Sequence, residues 1–84
     1  MSHSFLQPGK RYVVTRQFID YDSQVHPVGE SWTFVRSSFL PYEDGLSLFV
    51  SPDGKAEHQI RLQWRDDEQG SIIDHFSNYV ALEP

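Results

Sequence analysis

The chemistry open to this 84-residue chain rests on its four histidines and twelve acidic residues, and their spacing limits what they can do. His3, His26, His58 and His75 are nowhere two, three or four residues apart, so no two of them pair as zinc ligands on one strand or helix. A metal site would need convergence from distant segments. Asp20 and Asp22 flank Tyr21 and offer hard oxygen donors of the kind a divalent cation takes. The further ligands, internal glycine and closing glutamate of a calcium loop are missing. The same aspartates can instead turn the chain by bonding backbone N–H groups, and turn-making is the preferred role. Glu30 or Asp44 beside His26 or His75 would supply a general base. No Gly-x-Ser-x-Gly, Lys-bearing glycine loop or His-Glu-x-x-His motif orders these groups. A small metal-dependent hydrolase built on Asp20, Asp22, His26 or Glu30 is therefore the outsider among the function classes. No catalytic residue, metal or cofactor is assigned.

A second pattern is more suggestive. Tyr21 lies between Asp20 and Asp22, Trp32 follows Glu30, and Tyr42 precedes Glu43 and Asp44. In SH3-like barrels, rings beside acidic loop residues form shallow grooves for extended, basic or proline-containing peptides. Asp20, Tyr21, Asp22, Glu30, Trp32, Tyr42, Glu43 and Asp44 are thus the candidate partner-binding residues of a non-enzymatic protein- or peptide-binding module. The competing arrangement has Trp32 in the core and Tyr42 over its own turn, because a small domain needs its rings inside. His58, at a strand start, and His75, off the apolar helical stripe, are expected to face solvent.

The composition sets the frame for these groups. A chain of 84 residues holds one core, and 14% aromatic content gives that core its area. There is no cysteine, which excludes disulfides, thiolate zinc sites and a thiol nucleophile, and fits a reducing, cytoplasmic setting. No run approaches the roughly 20 apolar residues that span a bilayer. A net charge of −5 disfavours nucleic acid and favours a basic protein partner. An acidic immunity-type or inhibitory protein that masks such a partner is the alternative function. Oligomeric state is not legible.

Residues 1–9 read as a leader and 10–84 as a single β-rich domain. Arg11–Ile19 alternates as one strand, with Tyr12, Val14 and Phe18 on one face. Residues 20–30 read as a long irregular loop. Ser31–Val35, extending toward Leu40, is a second strand with Trp32 and Phe34 inward. Leu46–Val50 and His58–Trp64 form a hairpin around Ser51-Pro52-Asp53-Gly54, with Leu46, Leu48 and Val50 inward and Ile60, Leu62 and Trp64 together on one face. The period then changes to about 3.6. Ile72, Ile73, Phe76, Tyr79 and Val80 form the stripe of a helix over about 67–80, with Asp66 and Gln69 resembling a capping box. Gly70 within it costs ~1 kcal/mol against Ala, which moves the expected start toward Ser71. The expected fold is mostly β: a small SH3-like antiparallel barrel of four or five strands with a short C-terminal α-helix. A two-layer sheet-and-helix domain is the alternative.

The run from Phe39 to Val50, followed by Ile60 to Trp64, resembles a small bacterial family of domains of unknown function. The spacings Tyr12-x-Val14, Phe18-x-Asp20 and Gly29-Glu30-x-Trp32-x-Phe34 are similar to it as well. The likeness covers Lys10 to about Val80. It implies a bacterial origin and a one-domain boundary, and it brings no activity or catalytic residue with it.

Overall fold

The computed structural model describes residues 2–43, 45–65 and 67–84, without the side chains of Ser2, His3 and Pro41. Among the described residues the strands are β1 (Arg11–Val14), β2 (Phe18–Ile19), β3 (Val25–His26), β4 (Ser31–Leu40), β5 (Gly45–Ser51), β6 (His58–Gln63) and β7 (Val80–Leu82). One short helix, α1 (Gly70–Asp74), precedes β7. Five strands build an antiparallel sheet in the order β6-β5-β4-β1-β7, and β2 and β3 form a separate two-stranded sheet.

Period-two alternation explains the core. Tyr12, Val14, Trp32, Phe34, Leu46, Leu48, Val50, Ile60 and Leu62 are buried along the five-stranded sheet. Phe18, Ile73, Phe76 and Val80 complete the same cluster. In β4 the pairing with β5 shifts between Phe34 and Arg36, a bulge that lets one strand run for ten residues, to Leu40.

Five expectations need correction. The sheet is open, with β6 and β7 at its edges, so it is not a closed SH3-like barrel. The barrel fails to close because the continuation of β1 leaves the main sheet: Thr15 and Arg16 donate to the Tyr79 carbonyl, and Phe18–Ile19 pair instead with Val25–His26. Residues 20–30 therefore contain a strand, and the single strand over 11–19 is two. The helix expected over 67–80 is five residues long, followed by a 3₁₀ turn at Phe76–Asn78 and then β7. Pairing of Val80 with Val14 takes the end of the apolar stripe into the sheet, and tertiary pairing overrides helical periodicity. Trp64 lies beyond the end of β6 and is half exposed, donating to Asp74 Oδ1 at 2.9 Å.

The expected leader also packs. Ser2–Phe5 forms a 3₁₀ turn, Leu6 is buried in the core, and the Gln7 N–H donates to the Tyr12 hydroxyl at 2.8 Å. Asp66 lies outside the described residues. Gln69 occupies the N-cap without a capping bond, and its side chain accepts the Gln63 N–H at 3.0 Å. No helix among the described residues is long and apolar enough to cross a membrane.

Gly70 opens α1, and a Cβ there would meet the Arg65 carbonyl oxygen at 2.8 Å. Helix propensity favours Ala at such a position by ~1 kcal/mol. The backbone clash reverses that sign. Gly70→Ala is expected to destabilise the domain by about 1–3 kcal/mol in urea unfolding, and a stabilised variant would show that the helix start is not pressed against Arg65.

Candidate functional site

The β2–β3 hairpin is built by Asp20. Its Oδ1 accepts the backbone N–H groups of Asp22 at 2.9 Å and Gln24 at 3.0 Å, which turns the chain with Ser23 at φ 65°. Its Oδ2 lies 2.8 Å from His26 Nε2. On the other side of the ring, His26 Nδ1 lies 2.6 Å from Glu30 Oε2, which also accepts the Trp32 indole N–H at 3.3 Å. Phe18 stacks on the imidazole with ring centroids 4.7 Å apart. Asp20, His26 and Trp32 are buried, and only Glu30 is partly exposed.

Both ring nitrogens are therefore engaged by carboxylates. Which nitrogen donates and which accepts depends on the ring's tautomer, but neither is left without a partner. With both nitrogens taken, the ring is a positioning element and has no spare base nitrogen for a substrate.

His26 and Glu30 border a cleft of about 390 Å³ between this hairpin and the β5–β6 hairpin. Trp32, Val50, Pro52 and Ile60 supply its apolar lining. A second, smaller groove of about 150 Å³ lies toward the opposite end of β5 and β6. It runs past Tyr21, Glu43, Ser47 and Arg61. The Tyr21 N–H donates to the Arg61 carbonyl at 2.8 Å, which fastens the loop to the edge of β6. The Arg61 guanidinium covers the Tyr21 ring at 5.5 Å and pairs with Asp22 at 2.6 Å. That hydrogen bond, with the Arg61 charge behind it, holds the Asp22 carboxyl below the usual carboxylate value against a smaller opposing effect of desolvation.

The eight candidate residues thus separate. Asp20, Glu30 and Trp32 gather around His26, with Asp20 and Trp32 buried, so these two serve the hairpin turn and the core rather than an open surface. Tyr21, Asp22 and Glu43 stand at the groove or beside it, and Tyr42 is fully exposed on its 3₁₀ turn, Pro41–Glu43. Asp44 lies outside the described residues. Of the four residues considered for a metal-dependent hydrolase, Asp22 turns away to Arg61, and among the described residues no group of three or more His, Cys, Asp or Glu could hold a metal ion. Sequence reasoning missed His26 as the centre of the first group. The available signal was its position six residues after Asp20 and four before Glu30, inside a loop that Pro27 and Gly29 turn back on itself.

The model of a domain of unknown function, DUF3601, matches residues 2–83. The chain belongs to the DUF3601 family. The resemblance read over Lys10 to Val80 therefore holds and extends nearly to both ends. Among solved structures, the domain is similar to an integron cassette protein from the mobile metagenome of Vibrio cholerae, at 38% identity and a TM-score of 0.90. That match covers 95% of this chain and 88% of the other. No curated protein matches the chain.

Two aspartates two residues apart give this DUF3601 domain a direct test. Asp20→Ala leaves a buried histidine and two backbone N–H groups without their partner and is expected to cost about 3–5 kcal/mol in denaturant unfolding. Asp22→Ala, at the surface, is expected to leave stability nearly unchanged. Equal effects would remove the distinction between a buried clamp and a surface pair. Because the folded Asp22 carboxyl titrates low, its contribution is present above the ordinary carboxylate range and is lost as pH falls through the folded value. Arg61→Ala should move the Asp22 carboxyl carbon titration in NMR back up to the ordinary range. An unmoved titration would mean that Arg61 is not the cause.

Proposed function

We propose that this DUF3601 domain is a non-enzymatic binding module for a basic protein or peptide segment, held at the groove between Tyr21 and Glu43. The observation that carries this reading is that two segments far apart in sequence, the turn after β2 and the turn before β5, border one groove. Tyr42 adds a fully exposed ring on the second of these turns. The net charge of −5 favours a cationic partner, and steering by that charge speeds its approach. Occupation of both His26 nitrogens supports recognition over acid–base catalysis.

Masking of a basic active site is the second reading. It is favoured by the acidic charge and by the relative's place on a mobile cassette, since a gene that travels alone suits a protein that acts by binding what a new host already contains. A bacterial source and a cytoplasmic location belong to the same proposal.

An array of extended Lys- and Arg-containing peptides, with acidic peptides as controls, tests the groove. Basic members should bind with on-rates that fall steeply as salt is added. Tyr42→Ala and Glu43→Gln should each weaken binding severalfold while Tm stays constant. Equal binding of acidic peptides, or unchanged affinity in both variants, would overturn the assignment.

A further inference from the structure

The Glu30 carboxylate uses one oxygen for its hydrogen bonds to the described residues. Oε2 meets His26 Nδ1 and the Trp32 indole N–H, whereas Oε1 receives no hydrogen bond from the described residues. This half-free carboxylate borders the 390 Å³ cleft, a volume within the roughly 300–1,000 Å³ of small-ligand sites.

Two carboxylates, Asp20 and Glu30, share the one His26 imidazole beside the cleft. Among the described residues no Lys or Arg lines the cleft, and His58 is the other titratable side chain on its wall. Arg11 reaches the Pro52 carbonyl at 2.9 Å, but it is already paired with Glu83. Beside the carboxylate, Pro52 offers exposed apolar surface, with the buried Val50 and Ile60 behind it.

We propose that this cleft binds an organic cation, an ammonium or guanidinium head on an aliphatic stem. The head donates to Glu30 Oε1 and the stem lies along Pro52. His26 is a positioning residue: by holding Oε2 it fixes the carboxylate and leaves the other oxygen for the ligand. The site is separate from the Tyr21–Glu43 groove and does not depend on the function proposed for it. The cation is either a free small molecule or the Lys or Arg side chain of a bound protein.

The test is an NMR titration of the whole domain with butylguanidinium, its neutral near-isostere butylurea, and the peptide acetyl-Gly-Arg-Gly-amide. The Trp32 indole N–H reports the cleft, and the Trp64 indole serves as internal reference. Butylguanidinium is expected to shift Trp32 and the amide of Ile60 and to leave Trp64 still. Butylurea and the Glu30→Gln variant should each weaken that binding by about tenfold or more, as loss of a charged hydrogen bond implies. A response to the peptide as strong as to butylguanidinium assigns the site to a protein side chain, and a response to butylguanidinium alone assigns it to a small molecule. Equal binding of butylurea, or a Trp32 signal that none of the three probes moves, overturns the proposal whether or not Glu30→Gln folds. Shifts confined to Tyr21, Ser47 and Arg61 would overturn it and leave the groove reading standing.

Discussion

The β2–β3 hairpin buries Phe18 but exposes Ile19 and Val25, so apolar packing holds one face of a unit only two residues deep on each strand. Isolated two-stranded hairpins are marginal in water. What fixes this one is the ring of His26, bonded on one side to the aspartate that makes the turn and on the other to the glutamate that leads into β4. Placement of Tyr21 at the β6 edge follows from that anchoring, because Tyr21 rides on the turn that Asp20 shapes. So does the cleft, one wall of which is the hairpin itself.

Strand β6 serves both surfaces. Ile60 faces the core and lines the cleft, while its neighbour Arg61 points the other way and lines the groove. Position along the strand separates the two surfaces, with His58 and Ile60 at the cleft, Arg61 to Gln63 at the groove, and Gln59 between them lining both. The groove contains a neutralised Arg61–Asp22 pair together with Glu43, and the cleft contains a carboxylate with one oxygen still to be satisfied. The two are different in kind. The groove is the smaller, at about 150 Å³, and the cleft the larger, at about 390 Å³.

The strands were legible because alternation is a local signal. Leu46, Leu48, Val50, Ile60 and Leu62 lie inward as their spacing requires, and the resemblance to an uncharacterised family holds over nearly the whole chain. The C-terminal segment misleads for a physical reason. Ile72, Ile73 and Phe76 fit a helical stripe, but one short helix and a 3₁₀ turn also bury Ile73 and Phe76 and half-bury Ile72, while Val80 gains a strand partner in Val14. Sequence period alone does not distinguish these outcomes. The clamp was hidden because its members read individually as turn-makers and loop polar groups. Trp32 was ambiguous for the opposite reason, being a ring beside an acid whose indole N–H bonds that acid inside the core.

Burying a carboxylate and a histidine beside a half-buried second carboxylate is costly, and well-packed apolar residues often replace such sets with no loss of stability. Here the replacement would not be neutral in geometry. An apolar residue at position 26 would leave Asp20 Oδ2 without its buried partner and take from Glu30 the contact that orients it, while the Trp32 N–H would depend on a side chain free to swing into solvent. A fully apolar substitution of all three would also remove the acceptor that turns the chain at Asp22 and Gln24. The polar set is therefore tied to the hairpin's shape, and it holds a carboxylate at the edge of the core in one orientation. A carboxylate so held has already given up its rotational freedom before any ligand arrives, and that preorganisation is what separates a binding anchor from an ordinary surface acid.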